Sequence, residues 1–208
     1  EGNAIVEDSS GDGTSRPAPT SRLQDPPVIQ DVPALALPRR LRAVLFIDVV
    51  DSVRLIHDDQ AGTVARWLAL VAAITDDLPR FVGRRVKLQG DGMLMEFEST
   101  VSAIECALAI QQRIAEAENA LPPERRIRVR MGMHVSDVIA DEHDLYGDGV
   151  NLAARLRDLG GPGEIVVSSA VRDQLTDGLG VVIEDLGERK LKGLAREMAR
   201  FSINVNCV

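Results

Sequence analysis

A run of five apolar residues, Ala43-Val-Leu-Phe-Ile47, stops abruptly at Asp48. An exposed-face strand would alternate; an unbroken run reads as a central strand buried on both faces. A carboxylate at the tip of such a strand costs several kcal/mol unless it is paired, hydrogen-bonded or bound to a metal. Two readings are open here. Asp48 caps the following helix with the help of Asp51 and Ser52, or it belongs to a working site.

The pattern around this strand is mixed. Ser52 to Leu78 has helical periodicity in two pieces and ends at Pro79. Arg85–Gln89 and Met93–Glu98 are short strands joined by Gly90-Asp91-Gly92, a hairpin signal. Ser99–Glu118 is helical, with Val101, Ile104, Leu108 and Ala115 on one stripe. Arg126–Val135 alternates: Ile127, Val129, Met131, Met133 and Val135 face one way and Arg126, Arg128 and Arg130 the other, as a solvated face. A helix over Gly149–Leu159, a strand at Glu164–Val167, a helix over Ser168–Leu175 and closing strands at Val181–Asp185 and Arg200–Val205 complete the order. This order predicts an α+β fold, a ferredoxin-like α/β sandwich with one sheet and helices on one face.

Residues 1–40 hold six of the ten prolines and no aromatic residue, which reads as a flexible linker; residues 41–208 form the globular domain. The chain opens on Glu1 rather than Met, so other domains of a longer parent protein are expected. Acidic residues outnumber basic ones 32 to 24, for a formal charge of −8, which argues against nucleic acid as partner. The longest apolar stretch, Trp67–Ile74, is far short of the ~20 residues that span a bilayer, so no direct membrane contact is expected. Two cysteines, Cys106 and Cys207, give neither metal spacing nor a disulfide framework, and a cytoplasmic location is expected, either free or as the cytoplasmic part of a larger or membrane-anchored protein.

Three segments carry chemistry. If the hairpin pairs beside the first strand, Asp91 approaches Asp48, and two carboxylates at one sheet edge suit Mg²⁺ or Mn²⁺. Taken alone, Gly90-Asp91-Gly92 is ordinary turn chemistry. Asn151 and Arg155 lie four apart and share a helix face, where an amide and a guanidinium can hold a sugar oxygen and a phosphate; taken alone, the segment reads equally as an ordinary polar helix face.

Together, Phe46-Ile-Asp48, Lys87-x-x-Gly90-Asp91-Gly92 and Asp144-x-x-Tyr-Gly-x-x-x-Asn151-x-x-x-Arg155 resemble the class III adenylate/guanylate cyclase catalytic domain over roughly residues 42–203. His134 in Met-Gly-Met-His-Val and the late Leu191-Lys192-Gly193 also match. The resemblance implies an adenylate cyclase that makes 3′,5′-cyclic AMP and pyrophosphate from ATP. It implies Asp48 and Asp91 as ligands of two Mg²⁺ or Mn²⁺ ions per site, Lys87 and Asp144 as adenine contacts, and Lys192 as a triphosphate contact. Asn151 would orient the ribose and Arg155 would stabilise transition-state charge. It further implies a head-to-tail homodimer, with each site built from both subunits.

Two places depart from the family pattern. Asp51-Ser52-Val53 stands where Gly-Ser-Thr is usual, which puts an extra carboxylate near the expected phosphate-binding turn. Ser136 stands where Gly is common. The alternative reading is a catalytically weak or inactive nucleotide-binding regulatory module on the same fold.

Overall fold

The computed structural model describes residues 39–141, 144–175, 181–190 and 197–204. Residues 1–38 of the expected linker, together with His143, Leu191, Lys192, Gly193 and Cys207, lie outside the described residues. Arg39 and Arg40, assigned to the linker from sequence, already belong to the first strand, β1 (Arg39–Val49).

From β1 the chain enters α1 (Ser52–Asp58) and α2 (Gln60–Asp77). The break between them is Asp59, whose backbone leaves the helical region and whose carboxylate accepts from the Gly62 N–H at 2.9 Å, capping α2. Trp67, Leu70, Val71 and Ile74 give α2 one buried stripe at i, i+3, i+4, i+7 spacing. The hairpin follows as β2 (Gly83–Gln89) and β3 (Gly92–Phe97), then α3 (Thr100–Glu118), β4 (Val129–Ala140) and a two-residue β5 (Leu145–Tyr146). The chain closes with α4 (Asp148–Arg157), β6 (Ile165–Ser168), α5 (Ser169–Arg172), β7 (Val182–Lys190) and β8 (Glu197–Asn204).

The strands form one sheet in the order β2-β3-β1-β4-β6-β8-β7, with β5 paired to β4. Among the described residues, only the β4–β6 pairing is parallel. Its first half, β1-α-β2-β3-α-β4 with β1 between β3 and β4, is the ferredoxin-like unit expected from sequence.

Along β1, successive side chains go to opposite faces. Ala43, Leu45, Ile47 and Val49 pack with α2, α3 and the apolar face of β4 in the main core. Each large apolar side chain buried there contributes about 1.5–3 kcal/mol relative to exposure. Ile127, Val129, Met131 and Met133 are buried on this side, as their alternation predicts. The buried stripe of α3 runs through Ala103, Ile104, Ala107, Ile110 and Ile114, rotated from the expected one.

The helices are not confined to one face. Val44 and Phe46 point the other way, into a second cluster with Leu94, Val138, Leu145 and Ala153 of α4. α4 lies directly on β4 at Gly132, where a Cβ would stand 2.1 Å from Arg157 N and 2.2 Å from the Ala153 carbonyl oxygen. No side chain other than hydrogen fits between this helix and this strand. Among the described residues, no helix is long and apolar enough to cross a membrane.

Candidate active site

β1 delivers Asp48 to the α4 side of the sheet, in register with Gly92 of β3 and Arg130 of β4. The next turn is tied to both neighbours: Val49 N–H donates to the Asp91 carbonyl at 3.1 Å and Val50 N–H to the Arg128 carbonyl at 2.8 Å. Trp67 Nε1–H, reaching from α2, donates to the Gly90 carbonyl at 3.3 Å and anchors the hairpin that carries Asp91. Asp48, Asp51 and Asp91 consequently line one open cleft of about 710 Å³, with Ser52, Arg54 and Arg130.

Asp51 is the first residue before α1 and sits in the left-handed region at φ 54. Glycine takes this conformation without penalty, and Asp is among the few other residues that tolerate it. Its side chain makes no capping bond, so the capping role considered from sequence is not played. The carboxylate is exposed instead.

Asp48 is only 15% exposed and is paired. Arg130 donates to Oδ2 from Nε at 3.1 Å and from Nη2 at 2.8 Å. Arg157 Nη1 stands 3.8 Å from Oδ1. Sequence reasoning missed both partners. The alternation of β4 puts Arg130 on a solvated face, but the face of β4 opposite the core is also the face to which Asp48 points.

Lys87 and Asp144, 57 residues apart in sequence, meet. Lys87 Nζ donates to Asp144 Oδ2 at 2.7 Å, while Leu145 N–H donates to Oδ1 at 2.8 Å. The hydrogen bond from Lys87 is the main reason that the Asp144 carboxyl titrates below its ordinary range. Neither residue lines the cleft that holds Asp48 and Asp91.

Asn151 and Arg155 share the outer side of α4, while Leu152, Ala153 and Leu156 are buried beneath them. Neither has a side-chain hydrogen bond or ion pair among the described residues, and neither lines the Asp48–Asp91 cleft. The structure therefore brings Asp48 together with Asp91, and Lys87 with Asp144, but leaves Asn151 and Arg155 facing away from their own chain's aspartates.

His134 is buried, with Nδ1 2.8 Å from Ser168 Oγ. Burial lowers the imidazole from 6.5 to about 4, so it is neutral at pH 7. Between these values the unfolded chain binds a proton that the folded chain excludes. Stability should thus fall as pH drops from 6.5 towards 4, by about 3 kcal/mol over the full window. Urea unfolding at several pH values checks this: His134→Gln should flatten the slope, and an unchanged slope would contradict it. Ser136 Oγ is buried against Gly149 without a hydrogen-bond partner among the described residues; nothing in the structure explains the hydroxyl there. Cys106 is buried, and burial pushes its thiol up to about 12, so it is no nucleophile at neutral pH.

The model of the family described as Adenylate and Guanylate cyclase catalytic domain matches residues 40–205. The chain belongs to this family. It is 36% identical over 162 residues to a Rhizobium meliloti protein named Putative adenylate cyclase 3, covering 76% of this chain and 27% of that protein. It is 34% identical over 112 residues to an uncharacterized protein of Mycobacterium tuberculosis, covering 53% of this chain and 36% of that one. The chain thus spans about a quarter to a third of these relatives' length. Among solved structures, an adenylate/guanylate cyclase/hydrolase from Silicibacter pomeroyi superposes with TM-score 0.71 at 32% identity, over 81% of this chain and 99% of that one. The adenylyl cyclase CyaB from P. aeruginosa shares the fold, with TM-score 0.71 at 17% identity over 81% of this chain and 95% of that one.

Catalytic domains of this family bind a nucleotide, use divalent metal ions and act as dimers. The donors here fit such an ion: Asp48 and Asp91 offer hard carboxylate oxygens from adjacent strand ends. Among the described residues, no three His, Cys, Asp or Glu side chains converge into a full cage. An ion would complete its shell with water and substrate phosphates, as Mg²⁺ commonly does.

Proposed function

We propose that this cyclase domain is an adenylate cyclase, converting ATP to 3′,5′-cyclic AMP and pyrophosphate at sites shared between two copies arranged head to tail. The observation that carries the reading is the Lys87–Asp144 pair at 2.7 Å. It sets a donor beside an acceptor at the spacing of a purine edge. Lys87 donates to adenine N1 and Asp144 accepts from the 6-amino group. Guanine presents a donor at N1 and an acceptor at O6, so it meets both groups with the wrong sign. The named Rhizobium meliloti relative supports the same substrate.

The reaction joins O3′ of the ribose to the α-phosphorus and breaks the bond from that phosphorus to the oxygen bridging the α- and β-phosphates. Pyrophosphate leaves with the electron pair, and the 3′-hydroxyl proton passes to solvent water. Asn151 holds the ribose so that O3′ lies in line. Arg155 meets the charge that grows on the α-phosphoryl oxygens. Lys192 contacts the triphosphate. Asp48 and Asp91 would hold two Mg²⁺ or Mn²⁺ ions, whose chemistry is to acidify the hydroxyl and neutralise the triphosphate. The outward aim of Asn151 and Arg155 supports their service to the partner copy's aspartates. The short span relative to the relatives supports a longer parent protein with further domains, and a cytoplasmic place goes with ATP as substrate.

One observation favours the second reading, a nucleotide-binding regulatory module with little turnover: Asp51 adds an exposed third carboxylate to the cleft where phosphates would lie. Product formation separates the two readings. Cyclic AMP from ATP should appear at least tenfold faster than cyclic GMP from GTP. Equal rates would sink the assignment of Lys87 and Asp144.

A further inference from the structure

The charges at the tip of β1 form a closed set within one chain. Both oxygens of Asp48 face a guanidinium, Oδ2 that of Arg130 and Oδ1 that of Arg157. Arg157 is fixed from two further sides. Its guanidinium carbon lies 4.9 Å from the centre of the Phe46 ring, and its Nε and Nη2 donate to Asp158 Oδ1 at 3.1 and 2.7 Å. Asp158 also stands 3.8 Å from Arg130 Nη2. The Arg157 side chain is only 18% exposed, so its charge is poorly screened by solvent.

Helix geometry explains why this arginine behaves unlike Arg155. Two positions along a helix turn a side chain by about 200°, to the opposite side. α4 therefore points Arg155 outward and Arg157 inward, over its own sheet.

Arg130 holds Oδ2 by two hydrogen bonds, whereas Arg157 Nη1 stands 3.8 Å from Oδ1, near enough to act as a charge and too far for a hydrogen bond. A cation that binds Asp48 therefore approaches Oδ1, whose lone pairs are open. Phe46 and Asp158 hold the Arg157 guanidinium close by, where it repels the arriving ion. We propose that Arg157 is a positioning residue that competes in cis for Asp48 and so sets the affinity of the site for a divalent cation. This rests on the reading of Asp48 as a cation ligand.

The test is Mn²⁺ binding to the whole chain without nucleotide, read from the paramagnetic resonance signal of free Mn²⁺. Arg157→Met removes the charge and keeps an apolar contact with Phe46; it should bind Mn²⁺ about tenfold tighter than wild type. Arg157→Gln, neutral by another route, should do the same if the Met variant does not fold. Arg157→Lys, which keeps the charge, should stay within about threefold of wild type. Dissociation constants for wild type and the neutral variant that agree within about twofold would overturn the inference. Asp48→Asn should bind most weakly. If it binds as well as wild type, the cation reading of Asp48 falls, and the inference with it. Because Asp48 and Arg157 belong to one chain, the readout depends on neither dimerisation nor turnover.

Discussion

Arg155→Ala should lower kcat about a hundredfold while shifting ATP affinity by less than about threefold. The asymmetry follows from where the charge is. In the proposed reaction, additional charge develops on the α-phosphoryl oxygens only as O3′ closes on phosphorus. A guanidinium aimed at those oxygens acts mainly in the transition state. Arg155 suits the test because it has no hydrogen bond or ion pair of its own among the described residues. Its loss should leave the fold intact, and an unchanged melting temperature checks this. Arg155→Lys should recover only part of the rate, because a point charge does not reproduce a planar fork of donors. Near-normal turnover by Arg155→Ala would remove it from the catalytic set.

Two inactive variants should regain activity when mixed. Asp91→Asn removes a proposed cation ligand, and Arg155→Ala removes the proposed transition-state contact. Asp91 is preferable to Asp48 for this purpose, because its side chain has no partner among the described residues, whereas changing Asp48 would remove a partner of both Arg130 and Arg157. In a head-to-tail heterodimer one site draws Asp91 from the Arg155→Ala chain and Arg155 from the Asp91→Asn chain, and is whole. The other site carries both lesions. Random pairing makes half the dimers mixed, so an equal mixture should recover about a quarter of wild-type activity. A mixture no more active than its components would contradict the shared site.

Much of this arrangement is legible in the sequence where a local pattern sets it. The run Ala43–Ile47 dictates a central strand, and Asp48 at its end is the natural place for chemistry. The helical break before α2 and the hairpin at Gly90-Asp91-Gly92 follow from turn and cap residues. What is not legible depends on register and on layers. The pairing of Asp48 with Arg130 needs the β1–β4 register, which no local pattern fixes. That α4 lies on the opposite face follows from Gly132, whose missing side chain has meaning only once a helix is there to fill the space. The inward turn of Arg157 depends on the same placement. The Lys87–Asp144 contact joins residues 57 apart; family resemblance gave both a role at the adenine, but spacing alone could not bring them together. Asp51, unusual by comparison with the family, is physically intelligible once its backbone is seen to be left-handed.

The most direct test is the formation of cyclic nucleotide by the purified chain from ATP and from GTP, with Mg²⁺ and then Mn²⁺, over a range of protein concentrations. The account predicts cyclic AMP from ATP, with specific activity that rises with concentration as dimers form. No cyclic product from a preparation verified as dimeric would contradict it and would leave the regulatory module as the reading to pursue.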